Sequence, residues 1–547
     1  MNKLGEGPLR CLLVRPEFLE NTFYNPREVF RLLGARSAAP PLGLLTVAAL
    51  LPPHWQLKFV DGDVEPVTEE HLGWAQLLMI SGKGPQEIPI RRLTERAHAR
   101  GIPVVVGGAG PTLQPDCFRD ADYAVAGEAE PILSRLLQDI ANGVSAGVYH
   151  STTSADLSSA PIPRYDLARL DNYLFVGMNF TRGCPFSCEF CAQIEIFGRT
   201  PRTKSVEQIL REHQALYDLG YRGQIDFGYD NLIGDIPKTE AVLTAMRDWN
   251  VAHRHPFCYS TEATMNLARL PRVLELMRDN DFRYVFMGIE SGDAEVLDRT
   301  KKGQNTAMPA AEAVRTVNSY GLAVNTGLIL GFDGEGDRTA RNMLAMVQGT
   351  GAFPMLVLPL HALPNTQLSK RLAREGRLFR NGLIEIVDGD RTDTATTGLN
   401  FATERPRVAI LRDLAQVLER LYEPESHHAR VSLATQQLRT ARKSLPQLRK
   451  LPQLARAFFG IVRLVGLDRR AAPYFWKSVF RAALTNPGAL EVVLGSWAMN
   501  ASYERQSRSY ARALHRQIAH VEKMGEEKFN RSMGALGIEA VPTASDA

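Results

Sequence analysis

Through the first 150 residues, short apolar runs at 9–14, 56–60, 77–80, 103–106 and 122–125 alternate with stretches whose apolar residues recur at helical spacing, as at 44–51 and 86–100. A run that is apolar at every position suits a strand buried on both faces. Strands alternating with helices predict an α/β fold, a doubly wound parallel sheet of Rossmann-like type. The predicted strands end in polar or glycine-rich turns: Asp61-Gly62-Asp63, Ser81-Gly82-Lys83-Gly84, Gly107-Gly108-Ala109-Gly110-Pro111-Thr112 and Gly127-Glu128-Ala129-Glu130. In an open α/β sheet ligands sit at such carboxyl ends, and glycine lets backbone N–H groups approach them. Any one of these glycines is more simply a tight turn. The run 122–125 is expected to be the last strand of this region, and 149–171, rich in Ser, Ala and Pro, to be a linker.

From Tyr173 the alternation resumes with longer helices. Six strands are expected at 174–181, 224–229, 257–261, 284–289, 323–330 and 355–360, with helices at 206–219, 238–252, 270–280 and 311–320 between them. Six such units predict a partial (β/α)6 barrel whose site lies at the carboxyl ends of its strands. Polar residues stand at those ends: Asp230-Asn231, Glu262, Glu290-Ser291-Gly292 and Gly331-Phe332-Asp333-Gly334-Glu335. Taken singly, each is also what a helix cap or a turn uses. Past about residue 385 an amphipathic helix at 408–422 and helical periodicity through 516 predict an α-helical C-terminal domain, with a mobile tail after Glu526. The expected division is therefore 1–150, a linker at 151–172, a barrel at 173–385 and a helical domain at 386–547.

Composition adds one local feature. The net charge of +4 is small for 547 residues, but 430–480 holds eleven Lys or Arg and one acid, Asp468, interleaved with Leu451, Leu454, Phe458, Phe459, Phe475, Trp476 and Phe480. Basic, aromatic helices of this kind lie on anionic membrane surfaces or form a solvated cap, and both readings stand. No nucleic-acid motif accompanies the charge. The start of the chain has no signal-peptide run, and isolated Cys11, Cys117 and Cys258 argue against a disulfide framework. A cytoplasmic protein is expected, peripheral at the inner membrane face if the basic helices bind lipid.

Three of the six cysteines fall within eight residues, Cys184, Cys188 and Cys191, spaced C-x3-C-x2-C. Three thiols with no fourth Cys or His completing a zinc set suit an iron–sulfur cluster with one iron left open. Phe190 before the last cysteine completes C-x3-C-x-Φ-C, and with it the chain resembles the radical S-adenosylmethionine (SAM) enzymes. The turns PPLGLL, VDGD, SGKG, GGAGPT and AGEAEP look like the cobalamin domain ahead of many such barrels. Over roughly 9–370 the chain resembles class B, cobalamin-dependent radical SAM methyltransferases. The run from Asn179 through Gly198–Lys204 to Gly234 brings it nearest to the hopanoid C-methylase group, which also carries a helical extension.

The resemblance implies a [4Fe-4S] cluster on Cys184, Cys188 and Cys191, and SAM held by Phe190, Glu262, Glu290, Ser291 and Gly331. It also implies cobalamin near Pro41, Leu42, Ser81, Gly82, Gly107, Gly108, Pro111, Gly127 and Glu128. The chain lacks D-x-H-x-x-G and has Gly110 where many relatives carry His, so the resemblance implies a cobalt with no protein imidazole below it. It implies transfer of a methyl group from methylcobalamin to an unactivated carbon of a hopanoid, another lipid or another small molecule. A flavodoxin or ferredoxin would supply single electrons. The alternatives are a non-methylating cobalamin radical SAM enzyme (cyclisation, ring contraction or oxidation), methylation of a peptide or antibiotic precursor, and, remotely, an iron–sulfur scaffold or sensor.

Overall fold

The computed structural model describes residues 8–18, 23, 25–144, 146–228, 230–380, 398–440 and 451–534. The chain divides into two compact units, one of residues 1–20, 30–185 and 193–261, the other of 21–29, 186–192 and 262–547. Tyr229, the expected boundary at 385/386, and the 441–450 part of the basic stretch lie outside the described residues.

In the first unit β1 (Arg10–Arg15), β2 (Gln56–Asp61), β3 (Leu77–Ser81), β4 (Val104–Gly107), β5 (Tyr123–Ala126) and β6 (Gly147–His150) form one parallel sheet in the order β2-β1-β3-β4-β5-β6. Successive side chains of a strand face opposite ways. Cys11 and Leu13 enter a core with Leu44, Met79, Val105 and Leu136, while Leu12 and Val14 enter another with Leu78, Ile80, Ile90 and Leu93. Helices cover both faces, which is why the strands read as unbroken apolar runs. The sheet does not end at β5, as the sequence suggested. β6 extends it, Tyr123 pairing with Gly147. Only Tyr149 of its four residues is buried, so this edge strand lacks the apolar signature of the others.

The same unit carries β7 (Phe175–Met178), β10 (Gln224–Phe227) and, but for its last residue, β11 (Cys258–Glu262), paired in parallel with Gln224 between Phe175 and Cys258. The strand expected at 174–181 is broken in two. Its end becomes β8 (Thr181–Arg182), an antiparallel partner of β9 (Arg202–Thr203). In the second unit β12 (Phe282–Glu290), β13 (Ala323–Leu330) and β14 (Met355–Pro359) pair in parallel, Tyr284 with Ala323 and Thr326 with Met355. Burial alternates along β13 and β14, as in barrel strands with one face under helices and the other turned inward.

The helical region of the second unit is built on Arg407–Leu421, Pro424–Gln437, Ala472–Thr485 and the long helix Leu490–Met524. Trp497, Tyr422 and Tyr510 are fully buried in it. The tail expected to be mobile after Glu526 instead continues as the helix Glu526–Ser532, anchored by Phe529, whose ring centroid lies 6.2 Å from that of Phe379. Residues 535–547 lie outside the described residues. Among the described residues no helix is long and apolar enough to cross a membrane.

Candidate active site

At the carboxyl ends of β3, β4 and β5 three turns are laced together. The Gly82 N–H donates to Gly107 O (3.2 Å), the Gly110 N–H to Gly82 O (3.1 Å) and the Gly127 N–H to Thr112 Oγ1 (2.9 Å). Ser81, Gly82, Gly107, Gly108, Pro111 and Gly127 are thus gathered at one edge of the sheet. Pro41 and Leu42 open the helix Leu42–Leu50 that follows β1. Packing alone requires glycine at 108. Its φ is +102°, and a Cβ there would lie 2.8 Å from Gly82 O.

Glu128, in the turn after β5, is held by two arginines. Its carboxylate is 3% exposed and accepts from Arg182 Nη1 (2.7 Å), Arg202 Nη1 (3.0 Å) and the Ala155 N–H (2.9 Å). Glu130 also pairs with Arg182, at 2.8 Å. The turn after β5 is therefore bolted to the β8–β9 ribbon, from which Gly183 and Cys184 emerge. Gly183 donates its N–H to Asp230 Oδ2 at 2.7 Å. Burial raises the Asp230 carboxyl to about 6, against the lowering effect of the Gly183 N–H and of Arg182 and Arg202. Asn231 Nδ2 lies 4.0 Å from Cys184 Sγ. On the inner side of β10, Asp226 accepts from Ser260 Oγ (2.6 Å), and burial raises it to about 6 as well.

The second unit holds Cys188 and Cys191, whose N–H donates to Cys188 O at 3.1 Å. Between them Glu189 is gripped at both oxygens by Arg371, at 3.0 and 2.8 Å, and donates its N–H to Thr300 O. Arg371 also reaches Asp333 (2.9 Å), which Arg377 holds at 2.6 Å. Burial alone would raise Asp333, but Arg377 and Arg371 outweigh it and keep the carboxyl below its usual range. Gln304 Nε2 donates to Cys188 Sγ at 3.3 Å. The Phe190 ring packs 5.5 Å from Phe332 and 5.6 Å from Lys302 Nζ.

Of the residues expected to hold SAM, Glu290 ends β12 at a break in register, with φ +65°. A non-glycine residue in this region costs about 1–3 kcal/mol and marks a carboxylate held in place by its surroundings. That carboxylate is paired with Lys302. Ser291 is buried and accepts the Asp293 N–H at 3.2 Å. Glu262 ends β11, half-buried. Gly331 has φ +106° and donates its N–H to Glu335 Oε2 (2.9 Å), and a Cβ there would lie 2.8 Å from Leu399 Cδ2. Burial lifts the Glu335 carboxyl to about 7.

Phe190, Glu290, Ser291 and Gly331 all belong to this second unit, as do Lys302, Gln304 and Arg371, which the sequence did not single out. Arg182 and Arg202 went unnoticed in the same way. Arg371 stands 182 residues from its partner Glu189, a separation across which no periodicity carries a signal. Among the described residues no three His, Cys, Asp or Glu side chains converge on a point that could hold a metal ion.

Residues 178–347 match the model of the radical SAM superfamily, and 366–518 match a domain of unknown function (DUF4070). The chain is 36% identical over 494 residues to an uncharacterized methyltransferase of Synechocystis sp., sll1242, covering 88% of this chain and 89% of that one. It is 32% identical to the hopanoid C-2 methylase of Rhodopseudomonas palustris, over 77% of this chain and 78% of that one. Among solved structures it is similar to the cobalamin-dependent SAM radical enzyme OxsB with aqua-cobalamin bound. That likeness has a TM-score of 0.58 at 14% identity and covers 97% of this chain and 83% of the other. It shows a shared fold across sheet, barrel and helical region.

Proposed function

We propose, from the premise that the chain belongs to the radical SAM methyltransferases that include the hopanoid C-2 methylase, that it methylates an unactivated carbon of an apolar lipid with the aid of cobalamin. The observation that carries the reading is the cysteine loop and its amide donors. Asn231 reaches toward Cys184, and Gln304 donates to Cys188. N–H groups aimed at sulfur suit thiolates that bind iron, because such bonds orient the ligands and stabilise their charge. Three cysteines supply the donor set of a [4Fe-4S] cluster with one open iron.

When bound, the cluster and SAM would supply a deoxyadenosyl radical, and cobalamin the methyl group. The chain's own residues orient and shield. Arg371 fixes the loop through Glu189, so that Cys188 and Cys191 keep their spacing. Glu290, paired with Lys302, is a partner for the SAM ammonium or ribose, and Phe190 covers an apolar side of the same loop. The interlocked turns at β3–β5 offer side-chain-free backbone to a large flat ligand, with glycine rather than His at 110, and so fit a corrinoid without a protein imidazole. The enzyme would act from the cytoplasmic side, drawing electrons from a flavodoxin or ferredoxin.

The test is anaerobic incubation of the iron-reconstituted protein with SAM, hydroxocobalamin, a strong reductant and a detergent-dispersed polycyclic lipid, read by mass spectrometry. Deoxyadenosine, S-adenosylhomocysteine and a lipid carrying one added methyl group are expected. Deoxyadenosine without S-adenosylhomocysteine would replace this reading by a non-methylating one. Neither product from protein with an intact cluster would sink both.

A further inference from the structure

The segment 451–484 divides its apolar residues between two environments. In the helix Leu451–Ile461, Ala457 and Ile461 are buried, while Leu451, Leu454 and Phe459 are 50%, 45% and 69% exposed. In the helix Ala472–Thr485, Phe475, Val479 and Ala482 face the interior. Phe480 and Leu484, three and seven positions beyond Lys477, stand 60% and 85% exposed. Leu467 between the helices is 71% exposed. Both helices therefore have an inner face that caps the fold and an outer apolar face that no described residue covers. Thirteen large apolar side chains are exposed among the described residues, and six of them, including both phenylalanines, lie in this segment.

The outer faces are also cationic. Arg456, Arg463, Arg469, Arg470, Lys477 and Arg481 accompany a single acid, Asp468. That carboxylate is spent on local capping, accepting the N–H groups of Arg470 and Ala471 at 2.9 and 2.8 Å. Trp476 is anchored by its Nε1–H to Gly466 O (3.0 Å) and stacks on Phe480 with centroids 5.7 Å apart, so the exposed ring is held rigidly.

We propose that this surface docks on an anionic lipid bilayer, Phe459, Phe480 and Leu484 entering the interface while the arginines and Lys477 engage lipid phosphates. Apolar rings beside a surplus of cations, of which Arg470 also pairs with Glu504 at 3.7 Å, match an interface that is apolar within and anionic at its rim. A second copy of the chain would bring like charge against like. The surface rests on the lipid-substrate reading only for its purpose, since docking would put the enzyme where an apolar substrate resides.

The experiment is co-sedimentation of the full-length protein with vesicles, without SAM or reductant. Vesicles of phosphatidylglycerol and phosphatidylcholine in equal parts are compared with pure phosphatidylcholine. The protein should bind the anionic vesicles at least about tenfold more tightly, and added salt should release it. The triple variant F459S/F480S/L484S and the double variant K477E/R481E should each weaken binding about tenfold or more with unchanged circular dichroism. These side chains are largely outside the core, and the two variants fail independently. Absence of binding to anionic vesicles, or variants that bind as the parent does, would overturn the proposal. So would a concentration-dependent dimer that F480S abolishes, since a second copy would then cover the patch. Methylation of detergent-dispersed lipid by protein that ignores vesicles would leave the reaction standing and remove only the docking surface.

Discussion

Glu128 illustrates what one buried charge does. It holds Arg182 and Arg202 together at the base of the cysteine loop, and all three side chains are less than 20% exposed. Removing one partner of a buried ion pair strands the other, at a cost of about 3–5 kcal/mol. Glu128→Ala is therefore expected to lower the free energy of unfolding by about 3 kcal/mol in urea titration, with Glu130 retaining part of the Arg182 interaction. The sequence exposed Glu128 but not its arginine partners, because nothing near a glycine-rich turn reveals an arginine 54 residues on. The cysteines were the opposite case, since spacing alone singled them out. Cys184→Ala, Cys188→Ala and Cys191→Ala should each lose bound iron and deoxyadenosine formation together, measured by iron assay and mass spectrometry. Retained deoxyadenosine in any of them would contradict the assignment.

At the scale of elements, the helix Val206–Asp218 packs on the inner strands through His213, which is fully buried among Trp249, Phe257, Phe227 and Tyr259. Burial pushes its imidazole down to about 4 from 6.5, only partly offset by the bond to Ile209 O. Between those values the unfolded chain binds the extra proton. The stabilisation is complete above pH 6.5 and is lost as pH falls toward 4, amounting to about 3 kcal/mol for such a shift. The urea midpoint should fall between pH 7 and 5, and the fall should be shallower in His213→Phe. The link between the helix Gln367–Arg374 and the cysteine loop is likewise one side chain deep. Arg371→Ala should speed hydrogen exchange at 186–192, and Arg371→Lys, which keeps the charge but not the two-pronged grip, should lie between. Strand positions were legible wherever both faces are apolar. β6 was missed because an edge strand needs only one buried residue, and the break between β7 and β8 because Phe180 continues the apolar run past Met178 and no proline or glycine stands between the two strands.

For the whole molecule, anything that binds the folded chain and not the unfolded one raises its melting temperature. Hydroxocobalamin added without SAM or reductant should raise the thermal midpoint in a concentration-dependent way, and no change up to saturating ligand would argue against the corrinoid site. The sequence alone determined the α/β class, the succession of sheet, barrel and helical region, the three cysteines and the amphipathic basic stretch. Each of these is written in local spacing: period two, period 3.6, or residues within one loop. Only the tertiary structure decided that Glu128 braces Arg182 and Arg202, that Glu290 answers to Lys302, that Arg371 grips Glu189, and which face of 451–484 is left bare among the described residues. Those outcomes depend on residues tens to hundreds of positions apart becoming neighbours, and on which charges lose their water when they do. Separation along the chain holds no record of either.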